Sequence, residues 1–415
     1  MEVSSASNIE RYDNIIKINR LDHSKCASDF LRTLQDCMSR GWKSIVVQCE
    51  ATRIFPNACL PICGMIQYYG CQGIDFSYNI PKTNYLNSCG FSNPFCKKVE
   101  EIEQELLPFD KVYRFDSVAQ IGKLTQAYVN SISHQMECQE GVLSGISWCI
   151  NEIMDNVLTH SDSQYGLIMA QLHPQSRHIV FCVHDTGIGI HESLLKSKHH
   201  PKSELDSLSL AIQEGVGDGK GQGNGLYGLY QIVYQNRGRL TITSGNSAIM
   251  MRNSGEIEKY EHIPFIARNH KGTIIDFQLN LGKSIDIKEA FRTIGGYDGF
   301  DFRINDMLKE QDDYIHYDIF ENSQGTATRE AGRYIRNDII NILRREQRCI
   351  ILDFSNVKTV SSSFIDELIA KLFLSLGFVN FNYRVNIAGM NDTVRFLCER
   401  SLYMRIHDEW ECSKV

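Results

Sequence analysis

One stretch of the chain, "SWCINEIMDNVLTHSD" at residues 147–162, combines a helical apolar repeat with two polar side chains one turn apart. Isoleucine, valine and leucine recur at spacings that give a helix one apolar stripe. Glu152 and Asn156 lie four residues apart, so both side chains project from one face of that helix. A carboxylate beside an amide indicates either the wall of a polar site or a solvated surface.

A second motif, "VHDTGIGI" at residues 183–190, places Asp185 at the end of a predicted strand, with Gly187 and Gly189 behind it. An ionised carboxylate accepts a hydrogen bond from an exocyclic N–H group, and glycine lets the backbone approach a planar ring closely. The pattern is therefore suited to recognition of a planar amine. Ordinary turns also use it.

A third motif is the glycine-rich run "EGVGDGKGQGNGLYGLY" at residues 214–230, which leads into a periodic apolar helix. A loop that opens onto a helix N-terminus offers backbone N–H groups and a positive dipole end to an anion. The lysine spacing of a Walker loop is absent. A flexible linker is the alternative reading. Further on, "KGTIIDFQL" places Thr273 at a strand start, where its hydroxyl helps hold a phosphate or the Gly-Thr pair is a plain turn.

The elements that position these motifs predict an α/β (α+β) chain in several domains. Strand-like and helix-like segments alternate in residues 1–112, in the motif-bearing region 113–283, and in residues 310–415, with a linker at 284–309. A weak internal repeat links "SIVVQCEATRIFPNACLPICGMI" to "CIILDFSNVKTVSSSFIDELIAKL" through a shared strand–loop–helix plan. Such units also arise independently, so the similarity indicates either an internal repeat or two unrelated units of the same shape.

Composition narrows the class of protein. A 415-residue chain with 42% hydrophobic residues can bury sizeable cores, and its net charge of −7 argues against a broad nucleic-acid surface, although a local basic patch stays open. No run reaches the about 18 apolar residues of a membrane helix, and the polar N-terminus lacks the plan of a secretory signal. We therefore expect a cytoplasmic protein without membrane contact. The scattered cysteines, with no C-x-x-C pair, predict buried reduced thiols.

Taken in order, the motifs resemble the ATP-binding domain of the GHKL superfamily, which gyrase B subunits, heat-shock chaperones, MutL mismatch-repair proteins and sensor histidine kinases share. The resemblance covers residues 115–283 and implies a two-layer α/β sandwich with a mixed sheet. It also implies ATP as substrate and Mg²⁺ as cofactor. Members of the superfamily commonly dimerise on ATP, so a homodimer is expected.

By this resemblance each motif acquires a role. Asn156 would ligate the Mg²⁺ that bridges the phosphates, Asp185 would bind the adenine amine, and Thr273 would support the adenine side. Gly187 and Gly189 would let the base lie against the backbone. The phosphate side and the following helix would contribute Lys220, Gly221, Gly223, Asn224, Gly225 and Leu226. Residues 190–222 would form a lid over ATP.

Two of these side chains, Glu152 and Lys220, have alternative roles. Glu152 resembles the glutamate that polarises the attacking water in the gyrase, chaperone and MutL branches, but related kinases use it to activate a serine or carry it as well. Lys220 would contact the γ-phosphate, or be a solvated loop lysine. His134 lacks the acidic residue that typically follows a phospho-accepting histidine, which disfavours a sensor kinase.

The last segment, "ILDFSNVKTVSSSFIDELIAKL", resembles the STAS fold of anti-sigma-factor antagonists and more closely its STAS-like relatives. Antagonists carry a D-S-S-G turn whose serine is phosphorylated. Here the turn reads Ser361, Ser362, Ser363 and Phe364, so the serines are either phospho-acceptors or helix caps. The matching turn near Pro56 has no hydroxyl, and a STAS-like module there would serve docking or regulation.

Two functions follow from this arrangement. The first is a Mg²⁺-dependent ATPase that acts as a conformational or dimerisation switch and signals to a protein partner through STAS-like domains, in a setting such as bacterial regulation or phage defence. The alternative is a serine kinase of the anti-sigma-factor type, acting on a STAS serine in a partner-switching module. The ATPase switch is favoured because Glu152 is present and the serine motif is altered.

Overall fold

The computed structural model describes residues 8–81, 85–102, 106–197, 200–213, 216, 225–261, 272–290, 313–323, 325–345 and 347–412. The chain divides into two compact units. The first comprises Met1–Ala127, Gly145–Asn280 and Asp286–Asp298. The second comprises Tyr128–Ser144, Leu281–Ile285 and Gly299–Val415.

A four-stranded sheet opens the first unit, in the order β1-β2-β3-β4. Its strands are β1 (Ile9–Tyr12), β2 (Ile15–Ile18), β3 (Ser44–Cys49) and β4 (Asp75–Asn79). β1 and β2 are antiparallel, whereas β2, β3 and β4 run parallel and are joined by helices α1 (Lys25–Ser39) and α2 (Pro56–Cys71). Two short helices follow, α3 (Tyr85–Cys89) and α4 (Val99–Ile102). The predicted alternation of strands and helices is present.

A seven-stranded sheet forms the rest of the first unit, in the order β10-β9-β8-β11-β7-β6-β5. Its strands are β5 (Val112–Phe115), β6 (Gly166–His173), β7 (His178–His184), β8 (Arg239–Ser244), β9 (Ser247–Met251), β10 (Ile257–Tyr260) and β11 (Thr273–Asn280). Its helices are α5 (Val118–Gln135), α6 (Val142–His160), α7 (Gly189–Leu195), α8 (Glu204–Ala211), α9 (Gly225–Gln235) and α10 (Ile287–Ala290).

The layered α/β class is confirmed, but one detail of this sheet differs from the prediction of a mixed sheet. Every strand pair in it is antiparallel. The reason lies in the connections: two successive helices, α5 and α6, join β5 to β6, and together they return the chain to the end of the sheet at which β5 stops. Tight turns join β6 to β7 and β8 to β9, which also gives antiparallel neighbours.

The two faces of this sheet bury different partners because side chains alternate along each strand. Leu167, Met169, Cys182 and Ile274 belong to one apolar cluster with the N-terminal segment. Residues of the opposite set are also buried and face the layer of α5, α6 and α9; they are Ile168, Ala170, Ile179, Phe181, Val183, Ile275, Phe277 and Leu279. One sheet therefore separates two cores.

Helix α2 lies against this first face, where it contacts β6, β7 and β11 while also packing on α1 and β4. A helix covered on several sides must be apolar around its whole circumference. The sequence "PNACLPICGMIQYYGC" meets that requirement. Its buried residues are Pro56, Ala58, Cys59, Leu60, Pro61, Ile62, Cys63, Gly64, Met65, Ile66 and Tyr69.

The second unit contains a parallel three-stranded sheet of β12 (Tyr314–Asp318), β13 (Cys349–Asp353) and β14 (Val385–Ala388), with β13 in the centre. Helices α11 (Arg329–Arg345), α12 (Ser362–Ile365), α13 (Lys371–Arg384) and α14 (Asp392–Cys412) accompany it. A π-helical turn, Asp366–Ala370, links α12 to α13. α13 is broken at Gly377, whose φ is +74°. The helix predicted for this stretch is thus present, with a π turn that the sequence does not indicate.

The end of α5 and the start of α6 belong to this second unit. Asp338 of α11 is fully buried and accepts hydrogen bonds from the hydroxyls of Ser133 and Tyr317, both at 2.6 Å. The side-chain oxygen of Asn341 accepts from the backbone N–H of Cys138 at 2.9 Å. This buried polar network ties the α5–α6 turn to α11, since leaving any of these groups unpaired would be costly.

The cysteines described by the structure are free thiols, and most are buried, as predicted. Among the described helices, none combines the length and apolar character needed to cross a bilayer.

Candidate functional site

Helix α6 carries Glu152 and Asn156. Its apolar stripe is buried at Ile146, Ile150 and Ile153, which fixes the opposite, polar face. Glu152 and Asn156 are both half-buried on that face. Burial raises the pKa of the Glu152 carboxyl, Asp155 reinforces the shift, and His160 opposes it. The polar face is therefore enclosed rather than freely solvated.

Glu152 lies directly against the start of α9. A Cβ added at Gly225 would come within 2.0 Å of Glu152 Oε1, so any larger residue here would force the Glu152 side chain to move. Gly225 and Leu226 are the first two residues of α9. The predicted phosphate contacts Lys220, Gly221, Gly223 and Asn224 lie outside the described residues.

Asp185 follows the last residue of β7 and is 5% exposed. Its Oδ1 accepts a hydrogen bond from the backbone N–H of Gly187 at 2.8 Å. Burial raises the pKa of this carboxyl to about 7, although backbone hydrogen bonds from Gly187 and Thr273 act in the opposite direction. Desolvation outweighs these bonds because charge is costly to bury.

The glycines after Asp185 bring its loop against the end of α6. A Cβ at Gly187 would lie 2.0 Å from the carbonyl oxygen of Ser161, and the N–H of Ile188 donates to that oxygen at 2.7 Å. Gly189 has a φ of +80°, a conformation that favours glycine. Since α6 rises 1.5 Å per residue, Asn156 lies about 7.5 Å along the helix axis from Ser161.

Thr273 begins β11 beside Asp185. Its carbonyl oxygen accepts from the backbone N–H of Asp185 at 3.0 Å, and its hydroxyl is 3.3 Å from that of Ser244. Ser244 Oγ also accepts from the N–H of Ile190 at 2.9 Å. Hydrogen bonds thus join Asp185 to Gly187 and to Thr273, and Gly189 lies in the same loop.

Some of the residues that hold this loop are not marked by any sequence motif. Ser161, just after α6, and Ser244, at the end of β8, hold the loop after Asp185, but no local pattern marks either residue. His184 lies just before Asp185, and its Nδ1 is 3.0 Å from the carbonyl oxygen of Thr273. A Cβ at Gly64 of α2 would lie 2.3 Å from the His184 ring. The N-terminal helix therefore packs directly behind the end of β7.

The segment predicted to be a lid contains two short helices, α7 and α8, in its described part. His191 Nδ1 of α7 lies 2.7 Å from the hydroxyl of Ser207 on α8. Glu204, the first residue of α8, accepts from the backbone N–H of Asn246 in the β8–β9 turn at 2.7 Å. These contacts dock α7 and α8 on the end of β8 nearest Thr273.

No group of three or more histidine, cysteine, aspartate or glutamate residues gathers at a metal-binding distance anywhere in the described chain.

The serine turn lies in the second unit, between β13 and α12. Ser361 caps α12, and its hydroxyl accepts from the backbone N–H of Phe364 at 3.0 Å. The hydroxyls of Ser361 and Ser363 are 3.0 Å apart, whereas Ser362 is exposed. Ser361 is a structural cap, and Ser362 is the accessible hydroxyl of the turn.

Two family models match separate parts of the chain. Residues 141–283 match the family model "Histidine kinase-, DNA gyrase B-, and HSP90-like ATPase", and residues 331–395 match "STAS-like domain of unknown function (DUF4325)". No curated protein matches the chain. The solved structure of a mycobacterial sensor histidine kinase, MprB, is 17% identical over 41% of this chain and 97% of that one, but its TM-score of 0.24 supports no argument. The chain therefore carries a GHKL-type ATPase domain at residues 141–283 and a STAS-like domain at residues 331–395.

Proposed function

We propose that the protein hydrolyses ATP with Mg²⁺ and acts as a conformational or dimerisation switch. The observation that carries this proposal is the packing of Glu152 against Gly225, where the glycine-rich run ends and α9 begins. A carboxylate in this position faces the side from which phosphates would approach the helix N-terminus.

Glu152 supports hydrolysis because burial raises its pKa. A general base works best when its pKa lies near the working pH. Glu152 would accept a proton from the water that attacks the γ-phosphorus, while ADP leaves. Asn156, four residues on, would hold Mg²⁺, which would supply positive charge at the phosphates.

The adenine would be recognised by Asp185, with Gly187, Gly189 and Thr273 shaping its surroundings. Asp185 Oδ1 accepts one backbone hydrogen bond and Gly187 closely approaches Ser161, so the loop is rigid before a ligand arrives. Lys220, Gly221, Gly223, Asn224, Gly225 and Leu226 would complete the phosphate side.

Chain continuity supports transmission to the STAS-like domain. Helix α6 begins at Val142 among residues of the second unit and carries Glu152 and Asn156 in the first. A shift of α6 on ATP binding would thus act on the buried network at Ser133, Asp338 and Asn341. The partner would be another protein, reached through the STAS-like domain, and the active form a homodimer in the cytoplasm. Bacterial regulation or phage defence stays the predicted setting.

The serine kinase is the second candidate function, and the exposed hydroxyl of Ser362 favours it. This serine follows a cap at the start of a helix, where an added phosphate would meet backbone N–H groups and a favourable dipole. Glu152 would then activate the serine instead of water.

The fate of the γ-phosphate separates the two functions. We would incubate the full chain with Mg²⁺ and γ-labelled ATP and follow label into free phosphate and into protein. Free phosphate that is lost in Glu152→Gln and Asn156→Ala supports the switch. Label that stays on the chain, and disappears in Ser362→Ala but not in Ser355→Ala, establishes the kinase. Absence of both products would contradict an intrinsic catalytic activity.

A further inference from the structure

A cavity lies on the α2 side of the seven-stranded sheet, opposite the face that buries the layer of α5, α6 and α9. Its volume is about 390 Å³, within the range of about 300–1,000 Å³ typical of small-molecule sites. It is lined by the N-terminal end of α2 and by the polar half of the sheet face that α2 leaves open.

Two acceptor atoms at the base of this cavity are unsatisfied. Asp276 of β11 is 7% exposed, and its Oδ2 accepts from Asn57 Nδ2 at 3.3 Å. Asp276 Oδ1 and Asn57 Oδ1 are both buried and have no hydrogen-bond partner within the described parts of the chain. A buried acceptor without a donor is costly, so a ligand with N–H groups is the natural complement.

The rim of the cavity carries hydrogen-bond donors, in contrast to the acceptors at its base. Arg237 and Arg239 line it, and both are exposed. Arg239 is held in place by a hydrogen bond from Nε to Asn253 Oδ1 at 2.6 Å. Exposed guanidinium groups suit a phosphate because they present several donors to its oxygens.

Apolar groups lie between base and rim. Phe55, immediately before α2, lines the cavity and exposes part of its ring, and Pro56 and Val180 lie beside it. Aromatic rings offer a stacking surface to a nucleobase. The wall is fixed by Gln171, whose amide donates to the carbonyl oxygen of Ile54 at 2.9 Å.

We propose that this cavity binds a nucleoside monophosphate whose base carries an amino group. The amino group would donate to Asp276 Oδ1 and Asn57 Oδ1, the base would stack on Phe55, and the phosphate would contact Arg237 and Arg239. The site is separate from the ATP site because it lies on the opposite face of the sheet. An occupied cavity would tie the start of α2 to β11.

The test uses the full chain with its ATP site saturated by a non-hydrolysable ATP analogue. It is done at pH 8, because burial raises the pKa of Asp276 to about 7 and the carboxyl is then ionised and can accept. Calorimetric titration with AMP, CMP, GMP and UMP is expected to show one-to-one binding of at least one of the first three. CMP and UMP form a matched pair, because UMP has a carbonyl oxygen in place of the amino group. If CMP binds, UMP should bind at least tenfold more weakly.

Variants locate the site. Asp276→Asn and Arg239→Ala should each weaken binding at least tenfold, while Arg32→Ala, an arginine removal on α1, should leave it unchanged. Asp185→Asn should also leave it unchanged, which separates this site from the ATP site, and circular dichroism should show each variant folded. Absence of binding by AMP, CMP and GMP would overturn the proposal. Binding that survives Asp276→Asn and Arg239→Ala, or that disappears in Asp185→Asn alone, would overturn it as well.

Discussion

Two strand–loop–helix units, residues 44–66 and 349–372, share one plan in different surroundings. In each, a central strand of a parallel arrangement, β3 or β13, leads through a short loop into a helix. Their helices nevertheless begin differently. Phe55 precedes α2 without a side-chain cap, and proline follows, whereas Ser361 caps α12 through its hydroxyl.

The amino-acid composition of each helix determines how its unit packs. α2 is apolar around its circumference and is buried against the ATPase sheet. The π turn after α12 instead carries Glu367, which is paired with Arg336 at 2.5 Å and with Lys371 at 2.7 Å. Thus the same supersecondary plan gives a buried helix at α2 and an accessible, serine-capped turn at α12. Changes at each unit test that contrast.

The largest expected effect is at Asp276, which faces the start of α2. Burial raises the pKa of this carboxyl to about 7 from 3.8. Between pH 3.8 and about 7 the folded state therefore holds a proton that the unfolded chain has released, so the free energy of unfolding falls as pH rises through this window. One pKa unit corresponds to about 1.4 kcal/mol, so wild type should lose about 3 kcal/mol relative to Asp276→Asn between pH 5 and pH 8.

Urea unfolding of wild type and Asp276→Asn at both pH values measures this difference. Asp353, at the end of β13, provides the matched control in the other unit, because its hydrogen bonds with Ser355 lower its pKa. Asp353→Asn should not reproduce the trend. A wild-type deficit independent of pH would contradict a buried, protonated Asp276.

The packing of α2 against β7 is tested at Gly64. Its substitution by alanine would place a methyl group against the buried His184 ring, and overpacking of this kind costs about 1–3 kcal/mol. Gly70→Ala in the same helix meets no atom within 4 Å and should stabilise by about 0.5–1 kcal/mol. Thermal unfolding of both variants checks the contrast. Equal effects would mean that α2 is not tightly packed on β7.

Much of this arrangement was predictable from local sequence. The strand–loop–helix plan predicted for residues 44–66 and 349–372 is present, with α2 beginning at Pro56 and α12 at Ser362. The grouping of Asp185 with Thr273 also follows from the motif order. By contrast, Ser161, Ser244 and Asp276 gain their roles from strand order and register, because β11 pairs between β7 and β8. Such non-local pairing leaves no signal in a short window of sequence.

The contrast between Asp185 and Asp353 gives a third prediction. Both residues lie at strand ends, but burial raises the pKa of Asp185 to about 7, whereas Ser355 lowers that of Asp353. If only the ionised carboxylate accepts the adenine amine, affinity should rise roughly tenfold from pH 6 to pH 8. Titration with adenosine is preferable, because phosphates ionise in this range. Asp185→Asn should abolish the slope, and a flat wild-type profile would refute the assignment.

The smallest expected effect concerns the serine turn. Ser361→Ala removes the hydroxyl that accepts from the N–H of Phe364, and loss of such a cap costs about 1 kcal/mol. Ser362→Ala removes an exposed hydroxyl and should change the free energy of unfolding by less than about 0.5 kcal/mol. Chemical denaturation of the two variants measures the difference. The α2 start has no hydroxyl to lose, so an Asn57→Ala variant should instead report on Asp276, through a pH dependence that neither serine variant shows. A larger loss for Ser362→Ala than for Ser361→Ala would mean that Ser362 is a structural residue, which would remove the observation that favours the kinase.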